Sequence, residues 1–143
     1  MITRLSHAGL FVLDQDSAKR FYTEKLGFEV RSDVDMGAAF EGAGAGFRWL
    51  TVSPPGQPDL ELILADVRMG HDEATAEQLR ALVAKGAFGG GVLEADDLHK
   101  TYRELSERGV VFLSEPAERP YGIEAVFRDD SGNWFSLTER RAP

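Results

Sequence analysis

HAGLFVLDQDSAKRFYTEKLGFEV, residues 7–30, changes its hydrophobic period part-way along, and the fold is read outward from that change. Residues 2–13 are rich in Leu, Val and Phe and alternate as a strand does, with Ala8, Leu10 and Val12 on one face and His7, Gly9 and Phe11 on the other. From residue 14 the spacing becomes helical. Asp14 or Asp16 can cap a helix whose apolar stripe is Ala18, Phe21, Tyr22 and Leu26, and Gly27 suits the left-handed position that ends it. Residues 28–34 return to strand character.

The same order is repeated further along. FRWLTVS (47–53) and LELIL (60–64) read as strands, EGAGAG (41–46) as a connection and PPGQPD (54–59) as a turn. HDEATAEQLRALVAKG (71–86) reads as a helix within a polar linker, with Gly86 as its stop. Then GGGVLEADD (89–97) is a strand with an acidic cap, LHKTYRELSERG (98–109) a helix, and VVFLSEP (110–116) a strand. YGIEAVFRDDSGNWFSLTE (121–139) is a hairpin turning at Asp130 to Asn133. The caps Asp14 and Asp97 stand 83 residues apart, and the helix-ending Gly27 and Gly109 stand 82 apart. Two fused modules of strand, helix and three strands are therefore expected, at 1–64 and 88–140 around a helical linker at 65–87, in one domain.

Composition narrows the partners. The 143 residues are 43% hydrophobic, enough for a real core, and carry 16 Lys and Arg against 24 Asp and Glu, a net charge of −8. That balance repels phosphate backbones and anionic lipid, so neither nucleic acid nor a membrane surface is an expected partner. No apolar run approaches the roughly 20 residues of a spanning helix, and the first residues, MITRLSHAGL, lack a signal peptide's apolar stretch and cleavage site. A cytoplasmic location is expected. With no cysteine, disulfides, thiolate metal sites and cysteine nucleophiles are excluded.

The two modules, HAGLFVLDQDSAKRFYTEKLGFEV opening the first and RDDSGNWFSLTE closing the second, resemble the vicinal oxygen chelate superfamily of glyoxalases, bleomycin-resistance proteins and extradiol dioxygenases. The resemblance covers essentially the whole chain. It implies an α+β fold in which two βαβββ modules form one cupped, mixed sheet with helices outside, and a small molecule held in the cup, often on a divalent metal. It also implies a homodimer, which nothing in the residues themselves shows. The family's ligand positions are a His in the first strand and a Glu in the last strand of each module. Carried over by position, they are His7 and Glu61 in the first module, suitable ligands for Zn, Mn, Fe or Ni. In the second module the partner of His7 falls at Phe88, Gly89 or Gly90 and that of Glu61 at Ser136, so two of the four ligands are missing. Glu139 lies on the opposite strand face. His71 falls in the linker and His99 on the exposed side of a helix, so neither is expected to complete the set.

Three readings stay open. A binding or sequestering protein would hold an aromatic or amphipathic molecule near His7, Glu61 and Trp134, with saturable binding and no turnover. A divalent-metal lyase, isomerase or dioxygenase would polarise vicinal oxygens on His7 and Glu61. A metal-free enzyme would use Glu61 as general base beside a neutral His7. The missing ligands modestly favour the first, and a metal-free cavity-wall histidine bonded to Glu61 accounts for His7 at least as well as metal binding does. Trp49, Tyr121 and Trp134 are candidates for the pocket wall with Ser136, Phe127 is either wall or core, and Arg48 and Arg128 either bind an anionic group or reach solvent at an edge. The glycines of 41–46 are not a phosphate loop, because no Gly-Lys-Ser/Thr follows. Those of 89–91 either admit a close neighbour to the sheet or make a bend.

Overall fold

The structure is a computed structural model that describes residues 1–36 and 47–141. The EGAGAG connection expected at 41–46 lies outside the described residues.

The period change at residue 14 marks a real boundary. Strand β1 (His7–Val12) ends at Asp14, whose carboxylate accepts the Ser17 N–H and so caps α1 (Gln15–Arg20). The helix widens into a π-type turn over Phe21–Lys25 and stops at Gly27, which takes a positive φ of 76°. Strands β2 (Glu29–Asp35), β3 (Arg48–Ser53) and β4 (Glu61–Asp66) complete the first module. Helix α2 (Glu73–Ala84), capped by Asp72, leads to β5 (Gly89–Glu94). Asp97 then caps α3 (Leu98–Glu107), and β6 (Val111–Arg119), β7 (Gly122–Arg128) and β8 (Trp134–Arg140) follow. The opening strand is shorter than the 2–13 read from composition, because Met1, Ile2 and Leu5 find no partner strand and stay exposed. The strand read at 110–116 runs on to Arg119, so Tyr121 sits in the two-residue Pro120–Tyr121 turn of a hairpin.

Both expected βαβββ modules are present. Each has its own four-stranded mixed sheet, ordered β1-β4-β3-β2 and β5-β8-β7-β6, with the first strand parallel to the last and the other pairs antiparallel. No hydrogen-bonded strand pair joins the two sheets among the described residues. They are joined by side-chain packing: Leu10, Val12, Leu50 and Leu64 of the first module and Phe127, Phe135 and Leu137 of the second share one core with Phe21, Tyr22, Leu98 and Leu105. The Tyr22 ring meets Phe135 edge-on at 6.2 Å. Burying each such ring or leucine contributes about 2 kcal/mol. Phe127 is plain core, stacked on Phe135 at 5.5 Å and fully buried.

A polar joint sets the register between the modules. Asp129, almost wholly buried, accepts the backbone N–H groups of Ser131, Gly132 and Asn133 on one oxygen, and the Tyr22 hydroxyl (2.6 Å) and Asn133 amide (3.0 Å) on the other. Asn133 also donates to the Phe11 carbonyl at 2.8 Å, and Ser131 accepts the Leu13 N–H. Burial and the facing Asp129 charge push the Tyr22 phenol well above its ordinary pKa, so it stays a donor. Each sheet thus presses one face on the shared core and leaves the other open. No helix among the described residues is long and apolar enough to cross a membrane.

Candidate functional site

Parallel pairing of β1 with β4 sets His7 opposite Glu61, and the strand alternation that buries Leu10, Leu62 and Leu64 turns both side chains to the open face of the first sheet. His7 Nε2 stands 3.4 Å from Glu61 Oε2. The other carboxylate oxygen accepts the Thr51 hydroxyl at 2.7 Å, and Thr51 is fully buried beneath it. Ser6 Oγ lies 2.9 Å from His7 Nδ1. A Ser6 hydroxyl donating to Nδ1 puts the ring proton on Nε2, facing Glu61; a Nδ1–H donating to Ser6 leaves Nε2 bare. The Trp49 ring centroid is 5.7 Å from that of His7. The sequence placed His7 and Glu61 on one face and named Trp49 as a pocket-wall candidate, three residues that the structure brings together. It missed Thr51 and Ser6, since a hydroxyl residue in or beside a strand carries no signal of its own.

The pair suits two adjacent ligands of one ion, because donors about 2.0–2.2 Å from a tetrahedral metal lie roughly 3.3–3.6 Å apart. The rest of a metal site is not assembled: the described residues contain no group of three or more His, Asp or Glu able to hold an ion. His71 packs edge-on against Phe11 at 5.3 Å with Nδ1 on the Val67 carbonyl, and His99 is exposed on α3. The donor set present is that of half a site.

In the second module, aromatic surface stands where a further ligand would. Gly89 pairs with Trp134, and a Cβ on Gly89 would come within 2.6 Å of Trp134 Cζ2. The indole fills the space that a side chain at 89 would need. Gly90 makes the same room for the Phe135 ring on the core side, and Gly91 carries the register shift of β5 at a φ of 135°. The glycine run thus serves two rings and a bulge.

Ser136 lies on the open face two residues from Trp134 and donates a short hydrogen bond to Glu124 of β7. Glu124 also stands 3.6 Å from Arg119. The Ser136 hydroxyl above all, with Tyr121 and Arg119, holds its carboxyl below the usual range against a smaller opposing effect of burial. An open cleft of about 550 Å³ is lined by Val92, Tyr121, Glu124, Ser136, Thr138 and Arg140 among others. The sequence signal for Glu124 is a lone acid in the apolar strand IEAVF.

Arg48 is not brought to either group. Its side chain leaves the first sheet on the helix side, where Nε and Nη2 hold the Asp33 carboxylate at 2.7 and 2.9 Å and Nη1 holds Asp16 at 2.6 Å. Beside that guanidinium the Asp33 carboxyl lies far below the ordinary carboxylate range.

A family model described as the Glyoxalase/Bleomycin resistance protein/Dioxygenase superfamily matches residues 4–137. YetH, an uncharacterized protein of Bacillus subtilis (strain 168), is 32% identical over 97% of this chain and 100% of its own length. Among solved structures, UcmS2 is 52% identical with a TM-score of 0.88, covering 97% of this chain and 99% of the other. TnmS3, described as an antibiotic binding protein from Streptomyces sp. CB03234, is 30% identical with a TM-score of 0.74, covering 98% of both.

Proposed function

Because the chain belongs to the glyoxalase/bleomycin resistance protein/dioxygenase superfamily, we propose that it binds a small aromatic organic molecule on the open faces of its sheets, as a sequestering protein without a complete metal site. The observation that carries this reading is the Trp134 indole lying over Gly89, which puts a flat apolar wall where a chelating side chain would have to stand. Trp49 beside His7 supplies a similar wall on the first module. The description of TnmS3 as antibiotic-binding supports the same kind of role here by likeness.

A homodimer belongs to this proposal. Val92 is 60% exposed, Leu113 58% and Trp134 40%. A single chain leaves this apolar surface in water, and a second copy covering it would enclose the ligand.

The His7–Glu61 pair favours a second reading, metal-free acid-base catalysis. The Thr51 hydroxyl orients Glu61 toward His7, and a carboxylate held beside an imidazole can take a proton from a bound acid. Elemental analysis of protein purified without chelator or nickel resin, with wild type beside His7→Ala, tests the first reading. The expected result is well-folded protein with far less than one metal per chain in both. Near-stoichiometric Mn, Fe, Ni or Zn that disappears in His7→Ala would overturn it. Turnover that Glu61→Gln stops and chelator leaves intact would establish the second.

A further inference from the structure

We propose that Glu124 is a second ligand anchor, accepting a hydrogen bond from a neutral hydroxyl group, phenolic or alcoholic, of the molecule held on the open face of the second sheet. The inference rests on the binding reading above and adds to it the polar group that the ligand must carry.

The two modules hold their carboxylates by the same construction with the partners exchanged. In the first, the acid is on the last strand and the hydroxyl on its neighbour: Thr51 of β3 faces Ile63 and reaches diagonally to Glu61 of β4. In the second, Glu124 of β7 faces Thr138 and reaches by the same diagonal to Ser136 of β8. The second module has thus kept a carboxylate–hydroxyl pair on its open face, with the acid displaced by one strand, about 4.8 Å. The core does not call for an acid there. Ile123, Ala125 and Phe127 make the buried face of β7, and Glu124 points the other way into the cleft of about 550 Å³.

Its surroundings select the donor. The carboxylate is ionised at neutral pH and has about four acceptor sites. Ser136 engages one of these, and the side chain remains 21% exposed. Arg119, 3.6 Å away, offsets its charge, so a ligand ammonium would meet a locally neutral site and gain little. Arg140 and Arg141 on the cleft wall are paired with Glu94 and Glu118, which keeps the local balance near zero. A neutral O–H still meets an ionised acceptor and gives up less hydration than an ammonium to reach it. Tyr121, 48% exposed on the cleft wall, offers ring surface to the body carrying that hydroxyl.

The test uses 2-naphthol and 2-methoxynaphthalene, which share a ring system and differ in the donor. The chain has two tryptophans, Trp49 and Trp134, so the two indole N–H signals of a 15N spectrum report the two modules separately once assigned with Trp49→Phe and Trp134→Phe. Saturable movement of the Trp134 signal is expected with 2-naphthol, with about tenfold weaker binding of the ether to wild type and of 2-naphthol to Glu124→Gln. Equal affinity of wild type for the two compounds, or unchanged naphthol affinity in a folded Glu124→Gln protein, would overturn the anchor while leaving aromatic binding in place. Movement of neither indole signal with either compound would overturn the binding reading and the anchor with it. The comparison of ligands needs no variant, so it decides the matter even if Glu124→Gln fails to fold.

Discussion

The first module meets its open face with an imidazole and a carboxylate in register, His7 opposite Glu61. The second offers an indole lying on a glycine, Trp134 over Gly89. The scaffolds beneath are the same, down to an aspartate cap on each first helix and a parallel pairing of first and last strands. Duplication therefore conserves where side chains can stand and leaves what stands there free to diverge, because the open face carries little of the shared core's burial energy.

The largest effect is expected at the joint that makes the comparison possible. Asp129→Ala orphans three backbone donors, the Tyr22 hydroxyl and one Asn133 proton. At about 1–3 kcal/mol for a buried unsatisfied group, partly relieved by entering water, the cost is expected to be about 4 kcal/mol in urea unfolding. A loss below about 1 kcal/mol would show that apolar packing alone holds the modules together.

Next comes a pair of alanines that separates the two open faces. Gly89→Ala must displace the Trp134 indole, at about 1–3 kcal/mol, with a red-shifted emission in a Trp49→Phe background. Gly9→Ala in the first module is expected to change stability by less than about 0.5 kcal/mol, because its methyl would meet Ile63 Cβ at an ordinary 3.7 Å. Equal responses would remove the steric account of the second module.

A smaller effect than at the joint or at Gly89 concerns the ion network of the first module. The folded Asp33 carboxyl titrates well below its unfolded value, so its contribution is fully present above about pH 4 and is lost as pH falls toward the folded value. Asp33→Asn is expected to cost about 1 kcal/mol at pH 7, and the gap from wild type is expected to narrow steadily below pH 4 in acid-unfolding curves. A gap that stays constant with pH would assign the cost to packing.

Much of the fold was legible because hydrophobic period is a local property: alternation gives way to helical spacing at Asp14, and the same transition recurs at Asp97. His7 and Glu61 were legible for a related reason, each interrupting a strand whose other face is leucine or valine. Thr51 was not, since threonine suits a strand whether or not its hydroxyl meets a carboxylate ten residues away. Arg48 shows the limit of parity. It starts a strand on the core side, and its destination depended on Asp16 of α1 arriving beside it.

By itself the sequence determined the duplicated order of elements, the caps and glycines that bound the helices, and the faces on which His7, Glu61, Trp134 and Ser136 stand. Only the tertiary structure decided which of those side chains meet. A register shift at Gly89/Gly91 set Trp134 over Gly89, and the unbroken antiparallel register of β7 with β8 brought Ser136 diagonally to Glu124. Contacts across strands depend on pairing offsets that no local pattern carries.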